Sequence, residues 1–269
     1  MSDSQYDGAA YTVSELRHKY GERVHLLDDP FLLSHLARLC SPESTQPLVN
    51  ELVSMIYRGM IQAAINREFP LKRASIPTRM SEFHPEGVYA GPIIDPATRV
   101  VTVNLARAGT LPSHLCYTEL NYLMNPANVR QDHISIGRQT NSAHQVTGSA
   151  VSGHKIGGPV DDAILIFPDP MGATGSTLVE AMELYRSYGK PRRIIALHCI
   201  VTPEYLKRVL SANPSLVVYA ARLDRGLSDR DVLRTVPGTH WDRERGLNEK
   251  QYIVPGGGGI GEILNNAFV

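Results

Sequence analysis

Apolar residues recur at helical spacing in the first quarter of the chain. Behind Asp29-Pro30, where proline suits a first turn, Phe31, Leu32, Leu36 and Leu39 share one helical face, and Ser41-Pro42 closes the segment. A longer helix is predicted from about Pro47 to Glu68, with Leu48, Leu52, Met55, Ile56 and Ala63 near one face. Two such helices ahead of the sheet either pack a core or form a hood or an oligomer contact. Between Ile76 and Val100, the glycines and prolines and the turn Asp95-Pro96-Ala97-Thr98 predict a hairpin.

Beyond residue 100 the pattern changes to short apolar runs. Val100–Leu105, 132–137, 163–167, Arg193–Val201 and 216–220 read as strands. Leu178, Ala181, Met182 and Tyr185, then Tyr205, Leu206, Val209 and Leu210, restore helical spacing between them. A run as apolar as 193–201 suits a parallel strand buried on both faces. Strand and helix alternate over 160–220, which predicts an α/β fold with a doubly wound, central parallel sheet flanked by helices. Residues 139–159, rich in Gly, Ser and Thr, read as a flexible flap, and its His144, His154 and Lys155 are given no role. No linker divides the chain, so 25–269 is expected as a single domain behind a polar arm over 1–24, with the charged stretch 228–246 around Trp241 as an insertion.

Composition narrows the chemistry. Lys+Arg 27 against Asp+Glu 27 leaves no net charge, which argues against a nucleic-acid surface and confines any anion site to a local feature. Cys40, Cys116 and Cys199 form no ligand pair, as expected of a reduced cytoplasmic protein. The polar start Ser2-Asp3-Ser4-Gln5 shows no signal pattern, and no run of about 18 apolar residues implies a membrane span.

The local feature is the stretch Ala163–Thr177. A strand runs into Pro168-Asp169-Pro170, where the two prolines forbid ladder hydrogen bonds and predict that the strand stops. Asp169 then stands at a strand's carboxyl end, where open α/β sheets bind ligands. Ala173-Thr174-Gly175-Ser176-Thr177 leads into a helix, offering main-chain N–H groups, hydroxyls and a positive dipole end to an anion. Read blandly, the segment is an ordinary turn with Thr177 and Glu180 as a capping box. The Gly-Lys-Ser/Thr ending of a nucleoside-triphosphate loop is missing. A formal G-x-G-x-x-G at Gly256, Gly258 and Gly261 lacks room for the second strand and acid of a dinucleotide site.

Asp169-Pro170-Met171-x-Ala173-Thr174-Gly175 resembles the phosphoribosyl-pyrophosphate (PRPP) loop of type I phosphoribosyltransferases, in the version of the uracil phosphoribosyltransferase family. Arg107-Ala108-Gly109, at the end of strand 100–105, is similar to the family's turn that holds pyrophosphate. Arg138 matches the arginine that opens its closing loop, without the acids that follow it there. Tyr252–Gly261 is similar to the family's uracil-binding end, and the likeness extends over about residues 25–264.

The resemblance implies a type I phosphoribosyltransferase fold, with a small hood from the N- and C-terminal segments, converting uracil and PRPP into UMP and pyrophosphate in pyrimidine salvage. Asp169, Arg107 and Arg138 would be catalytic. PRPP would lie on Arg107, Ala108, Gly109, Arg138, Asp169 and the run Pro170, Met171, Gly172, Ala173, Thr174, Gly175, Ser176 and Thr177. Ile253, Gly258, Gly259 and Ile260 would line the base, read mainly by main-chain groups. Mg²⁺ would arrive bound mainly through PRPP, with no dedicated protein metal site, and the protein would be a homodimer or a higher homo-oligomer. The chain departs from the pattern where the family's first C-terminal Asp falls on Gly259, its second on Glu262 and its Arg on Ile263. Two other readings stay open: a catalytically silent PRPP- or nucleotide-binding regulator, and a phosphoribosyltransferase for a different base.

Overall fold

The structure, a computed structural model, describes residues 11–140 and 146–267; of residues 138–140 and 146–150 only the backbone is described. In chain order the elements are β1 (Val24–Leu26), α1 (Pro30–Leu39), α2 (Leu48–Glu68), β2 (Leu71–Pro77), β3 (Val88–Ile94), β4 (Val100–Ala106), α3 (Thr110–Leu123), β5 (Val129–Thr140), β6 (Val146–Lys155), β7 (Ile164–Pro168), β8 (Met171–Gly172), α4 (Ser176–Tyr185), β9 (Arg193–Val201), α5 (Pro203–Ala212), β10 (Leu216–Leu223), α6 (Arg230–Leu233) and α7 (Ile260–Asn265). The main sheet runs β1-β10-β9-β7-β4-β5-β6, with β8 continuing on β9. Its pairings are parallel except β5 with β6.

The apolar run 193–201 is explained by its central place in this sheet. Ile195, Leu197 and Cys199 face the core built with α1, α2 and α3, whereas Ile194, Ala196 and Val201 face the one built with α4 and α5. Asp29 caps α1 by accepting from Phe31 N and Leu32 N at 2.9 and 3.1 Å, an interaction worth about 1 kcal/mol. Leu32 then lies over Gly59 of α2, so closely that its Cδ2 would stand 2.7 Å from a Cβ there.

The segment between α1 and α2 meets the C-terminal segment. Gln46, just before α2, donates to the carbonyls of Ile263 and Leu264 in α7 at 3.1 Å each, and the Cys40 Sγ would stand 3.0 Å from a Cβ on Gly257. This is the small hood.

Several expectations are corrected. Part of the stretch predicted as a polar arm is packed: Glu15 bridges to Leu27, Tyr20 is buried, and Val24–Leu26 is the edge strand. Met55 lies on the exposed side of α2, because the buried stripe runs instead through Val49, Leu52, Val53, Ile56 and Met60. The hairpin begins at Leu71, and within the flap region β6 pairs antiparallel with β5; 141–145 lie outside the described residues.

Segment 228–246 is held by one buried carboxylate. Glu244, 3% exposed, accepts from the Tyr20 hydroxyl, from Arg225 Nη1 at 2.9 Å and from Gly238 N at 2.8 Å, while Trp241 Nε1 donates to Pro203 O at 3.0 Å. Replacing Glu244 by Ala removes the counter-charge of a mostly buried guanidinium, which keeps only carbonyl acceptors, and leaves the Tyr20 hydroxyl without its acceptor; it should cost about 3–5 kcal/mol in urea unfolding. Asp242→Ala, which removes only the exposed partner of Lys207, should leave the midpoint unchanged.

Candidate functional site

The strand order contains a reversal. From β4 the chain crosses through α3 to β5 on one side, and from β7 it crosses through α4 to β9 on the other, so the crevice between the carboxyl ends of β4 and β7 is a topological switch point. Arg107-Ala108-Gly109 follows β4 and Asp169 follows β7. The two motifs, 60 residues apart in sequence, therefore share one crevice.

The prolines at 168 and 170 interrupt the ladder without ending the strand's course, contrary to the expectation of an immediate turn. Asp169 N donates to Leu197 O at 3.1 Å, and β8 resumes pairing in unchanged register, Pro168 against Leu197 and Met171 against Ile200. The turn comes at 173–175. Gly172 needs its missing side chain, since a Cβ would stand 2.9 Å from Val201 Cγ1 and 3.2 Å from the Tyr205 ring. Gly175 has φ +79°, which L residues adopt rarely.

Gly175 is also the N-cap of α4, and no side chain caps the helix, so the Thr177/Glu180 box is not formed. Thr174 Oγ1 and Ser176 Oγ lie 3.0 Å apart beside this helix start. Thr202 supports the loop from behind: its N–H donates to Gly172 O and its hydroxyl to Ala173 O, at 3.1 and 2.7 Å.

The Arg107 turn closes on itself through Gly109 N to Leu105 O, 2.9 Å, and Thr110 N to Arg107 O, 3.1 Å; the Ala106–Arg107 peptide is cis. A Cβ on Gly109 would meet Leu105 O at 2.9 Å and Pro168 O at 3.1 Å, so only glycine lets the turn sit against the end of β7. α3 starts here, again without a side-chain cap. Two helix N-termini thus border one crevice, each with a partial positive charge. Arg107 is exposed, and its Nη1 donates to Ala267 O at 3.0 Å.

The C-terminal segment reaches the same place. A Cβ on Gly261 would stand 3.2 Å from Ala108 Cβ. The loop hangs on buried Asp224, which accepts from Arg222 Nε and Nη2 at 2.6 and 2.8 Å and from Gly256 N at 2.7 Å. Of the residues expected to line a base, Ile253 and Ile260 bury their side chains in the core and offer only main chain there, whereas Gly258, at φ +72°, borders open space. Glu262 folds back so that its Oε2 would lie 2.6 Å from a Cβ on Gly259. Arg138 lies on β5 opposite Ser149; its side chain is outside the described atoms.

Asp169 is half-buried and makes no ion pair among the described residues. Burial pushes its carboxyl up to about 7, only partly opposed by the Met171 N–H. No group of three or more His, Cys, Asp or Glu among the described residues is placed to hold a metal. An unpaired carboxylate suits a share in an ion that phosphates carry, since Mg²⁺ commonly binds through one or two carboxylates and substrate phosphates. Arg222, Asp224, Thr202 and Glu262 carry much of this architecture, and no motif draws attention to Arg222 or Thr202.

A mostly parallel sheet helical on both faces, with an anion-ready crevice at its switch point under a two-ended hood, places the molecule in the type I phosphoribosyltransferase class. The chain belongs to the uracil phosphoribosyltransferase family, whose sequence profile matches residues 26–243. It is 26% identical to a uracil phosphoribosyltransferase of Staphylococcus epidermidis over 90% of this chain and 97% of that one. It is 34% identical to that of Thermococcus gammatolerans over 38% of this chain, a match spanning 36% of the archaeal protein. The AQ2163 protein of Aquifex aeolicus has the same fold, with TM-score 0.69 and 20% identity over 91% of this chain and 99% of that one.

The carboxyl of Asp169 sets a stability trade. Below about pH 4 it is protonated in folded and unfolded chain alike; between about pH 4 and 7 only the unfolded chain ionises freely, so the parent loses stability relative to Asp169→Asn, and the gap is full above 7. The full shift corresponds to ~4 kcal/mol, which solvent at a half-buried group reduces to the order of 2 kcal/mol. Urea midpoints should coincide at pH 4 and favour Asp169→Asn at pH 8. A lower midpoint for the asparagine variant at pH 8 would contradict the buried, unpaired carboxylate.

Proposed function

We propose that this protein transfers the phosphoribosyl group of PRPP to uracil, giving UMP and pyrophosphate. The observation that carries the reading is the convergence of three separated segments, through Gly109 against Pro168 O and Gly261 against Ala108. The amide end of α4 with Thr174 and Ser176 suits the 5′-phosphate, and Asp169 suits the ribose hydroxyls. The Arg107 turn and the start of α3 suit pyrophosphate.

Displacement at the anomeric carbon builds positive charge on the ribose and negative charge on the leaving group. Fixed donors at the switch point stabilise the latter without reorganising, and ionised Asp169 lies on the side of the former. Mg²⁺ brought with PRPP supplies charge neutralisation on the pyrophosphate. Arg138 completes the cation set in this reading. At the base end the family's first carboxylate is missing from 259, but Glu262 puts one into the space beside Gly259, which supports catalysis over silent binding.

Self-association is supported by the β2–β3 hairpin, which leaves Leu71, Ile76, Met80, Phe83 and Tyr89 exposed. Cytoplasmic location is supported by three free cysteines, and no helix among the described residues is long and apolar enough to cross a membrane.

The test is pyrophosphate release from PRPP and Mg²⁺ across a panel of bases. Turnover should occur with uracil, and Asp169→Asn should lower kcat/KM by about 10²–10³-fold. Glu262→Gln should lower kcat/KM for the base by about tenfold while leaving the KM for PRPP in place. Turnover with another base alone would redefine the substrate. PRPP binding with no turnover for any base would make the protein a regulator.

A further inference from the structure

Beneath the phosphate loop lies a polar pair that the proposed chemistry does not use. His198 on β9 and Tyr205 on α5 are 2% and 1% exposed. His198 Nδ1 is 2.5 Å from the main-chain carbonyl of Asp169, and Nε2 is 2.5 Å from the Tyr205 hydroxyl. A carbonyl can only accept, so Nδ1 carries the proton. In a neutral ring Nε2 is then a lone pair, and the Tyr205 O–H donates to it.

We propose that His198 and Tyr205 are positioning residues that lock the ribose-side Asp169 and the phosphate loop into one rigid unit, and so set the affinity for the phosphoribosyl half of the substrate but not for the base. The inference rests on the reading of the site given above. Asp169 sits where two prolines interrupt the strand, and His198 takes up its carbonyl there. Tyr205 reaches the loop at two further points. Its ring would lie 3.2 Å from a Cβ on Gly172 and 3.4 Å from one on Gly175, so it backs both glycines of the phosphate loop.

Tyr205 is itself fixed, since its N–H donates to Thr202 Oγ1 at 3.0 Å, and that hydroxyl donates to Ala173 O. One helix start thereby supports Asp169 through an imidazole and residues 172–175 through a phenol ring and a threonine. Burial keeps the imidazole neutral, lowering His198 to about 4, against the favourable bond to the Asp169 carbonyl. The same burial keeps the Tyr205 phenol protonated. Both protons are therefore held where the relay needs them.

Two measurements test this on the full-length protein. Long-range proton–nitrogen NMR of His198 at neutral pH should show the Nδ1–H tautomer; an Nε2–H tautomer would overturn the relay whatever the enzyme does. Steady-state kinetics and PRPP titration should then compare the parent with Tyr205→Phe, which keeps the ring and removes only the hydroxyl. The KM and Kd for PRPP should rise about tenfold, with the KM for uracil unchanged within about twofold, because a buried nitrogen is left unpaired under one substrate only. His198→Asn, which can still donate to the Asp169 carbonyl, should retain more PRPP affinity than His198→Val. Equal loss for both substrates, or no difference between Asn and Val, would reduce the pair to ordinary core. A parent that binds no PRPP would instead overturn the reading of the site, which separates the two failures.

Discussion

The structure turns on the approach of Gly109 to the Pro168 carbonyl, 3.1 Å from where a side chain would begin. β4 and β7 are paired neighbours from Val100–Thr102 against Ile164–Ile166, and their crossovers then leave on opposite faces of the sheet. The loops at their carboxyl ends can share a ligand only if they stay close after the pairing ends. Glycine at 109 permits that contact, because larger residues would drive the Arg107 turn away from Asp169. Gly261 makes the same allowance toward Ala108, so the hood's last helix comes to rest on the first motif. Two missing side chains thus let the three segments approach one another.

In the proposed reading, that geometry lets a chain without net charge hold a highly charged substrate. Positive potential is concentrated by the N-termini of α3 and α4 and by Arg107, in a crevice bordered by low-dielectric core. Asp169 stands half-buried beside that crevice with no ion pair among the described residues, so burial makes its ionisation cost stability. Sites are where local rules are broken, with the deficit offset elsewhere. Here the offset lies in two continuous cores on the faces of the sheet, where β9 is buried on both sides.

Much of this was legible in the residue pattern. The helices at 30–39 and 48–68, the strands from 100 onward and the place of Asp169 at a strand end follow from periodicity and proline chemistry, which are local. The elements that escaped depend on tertiary context. Val24–Leu26 is only three residues long and is a strand because β10 pairs with it. α3 lies behind an arginine-glycine turn with a modest apolar stripe, and its buried Cys116 and Leu120 make sense only against α2. Arg222 and Thr202 are ordinary polar residues in sequence, and their importance lies in which main-chain atoms the fold brings to them. Ile253 and Ile260 stand in the segment expected to line a base, yet their side chains lie in the core, because sequence does not tell which side of that loop faces it.

The burial of those two isoleucines has a consequence for how a base is distinguished in the proposed reading. With both side chains committed to the core, those two positions offer only main chain, and Glu262 adds a carboxylate beside Gly259. A main-chain edge has a fixed order of donors and acceptors, so its selectivity depends on loop shape. That shape is imposed from outside the loop: Asp224 accepts from Gly256 N, Arg222 donates to Gly256 O at 3.0 Å, and Gly226 lies so near Val254 that a Cβ would be 2.8 Å from its carbonyl. The Arg222–Asp224 pair is bidentate and mostly buried, which gives it directional stiffness beyond its modest net energy. In the proposed reading, base preference depends on loop shape and so on the Arg222–Asp224 pair at the end of β10, as binding of the phosphoribosyl half depends on the floor beneath Asp169.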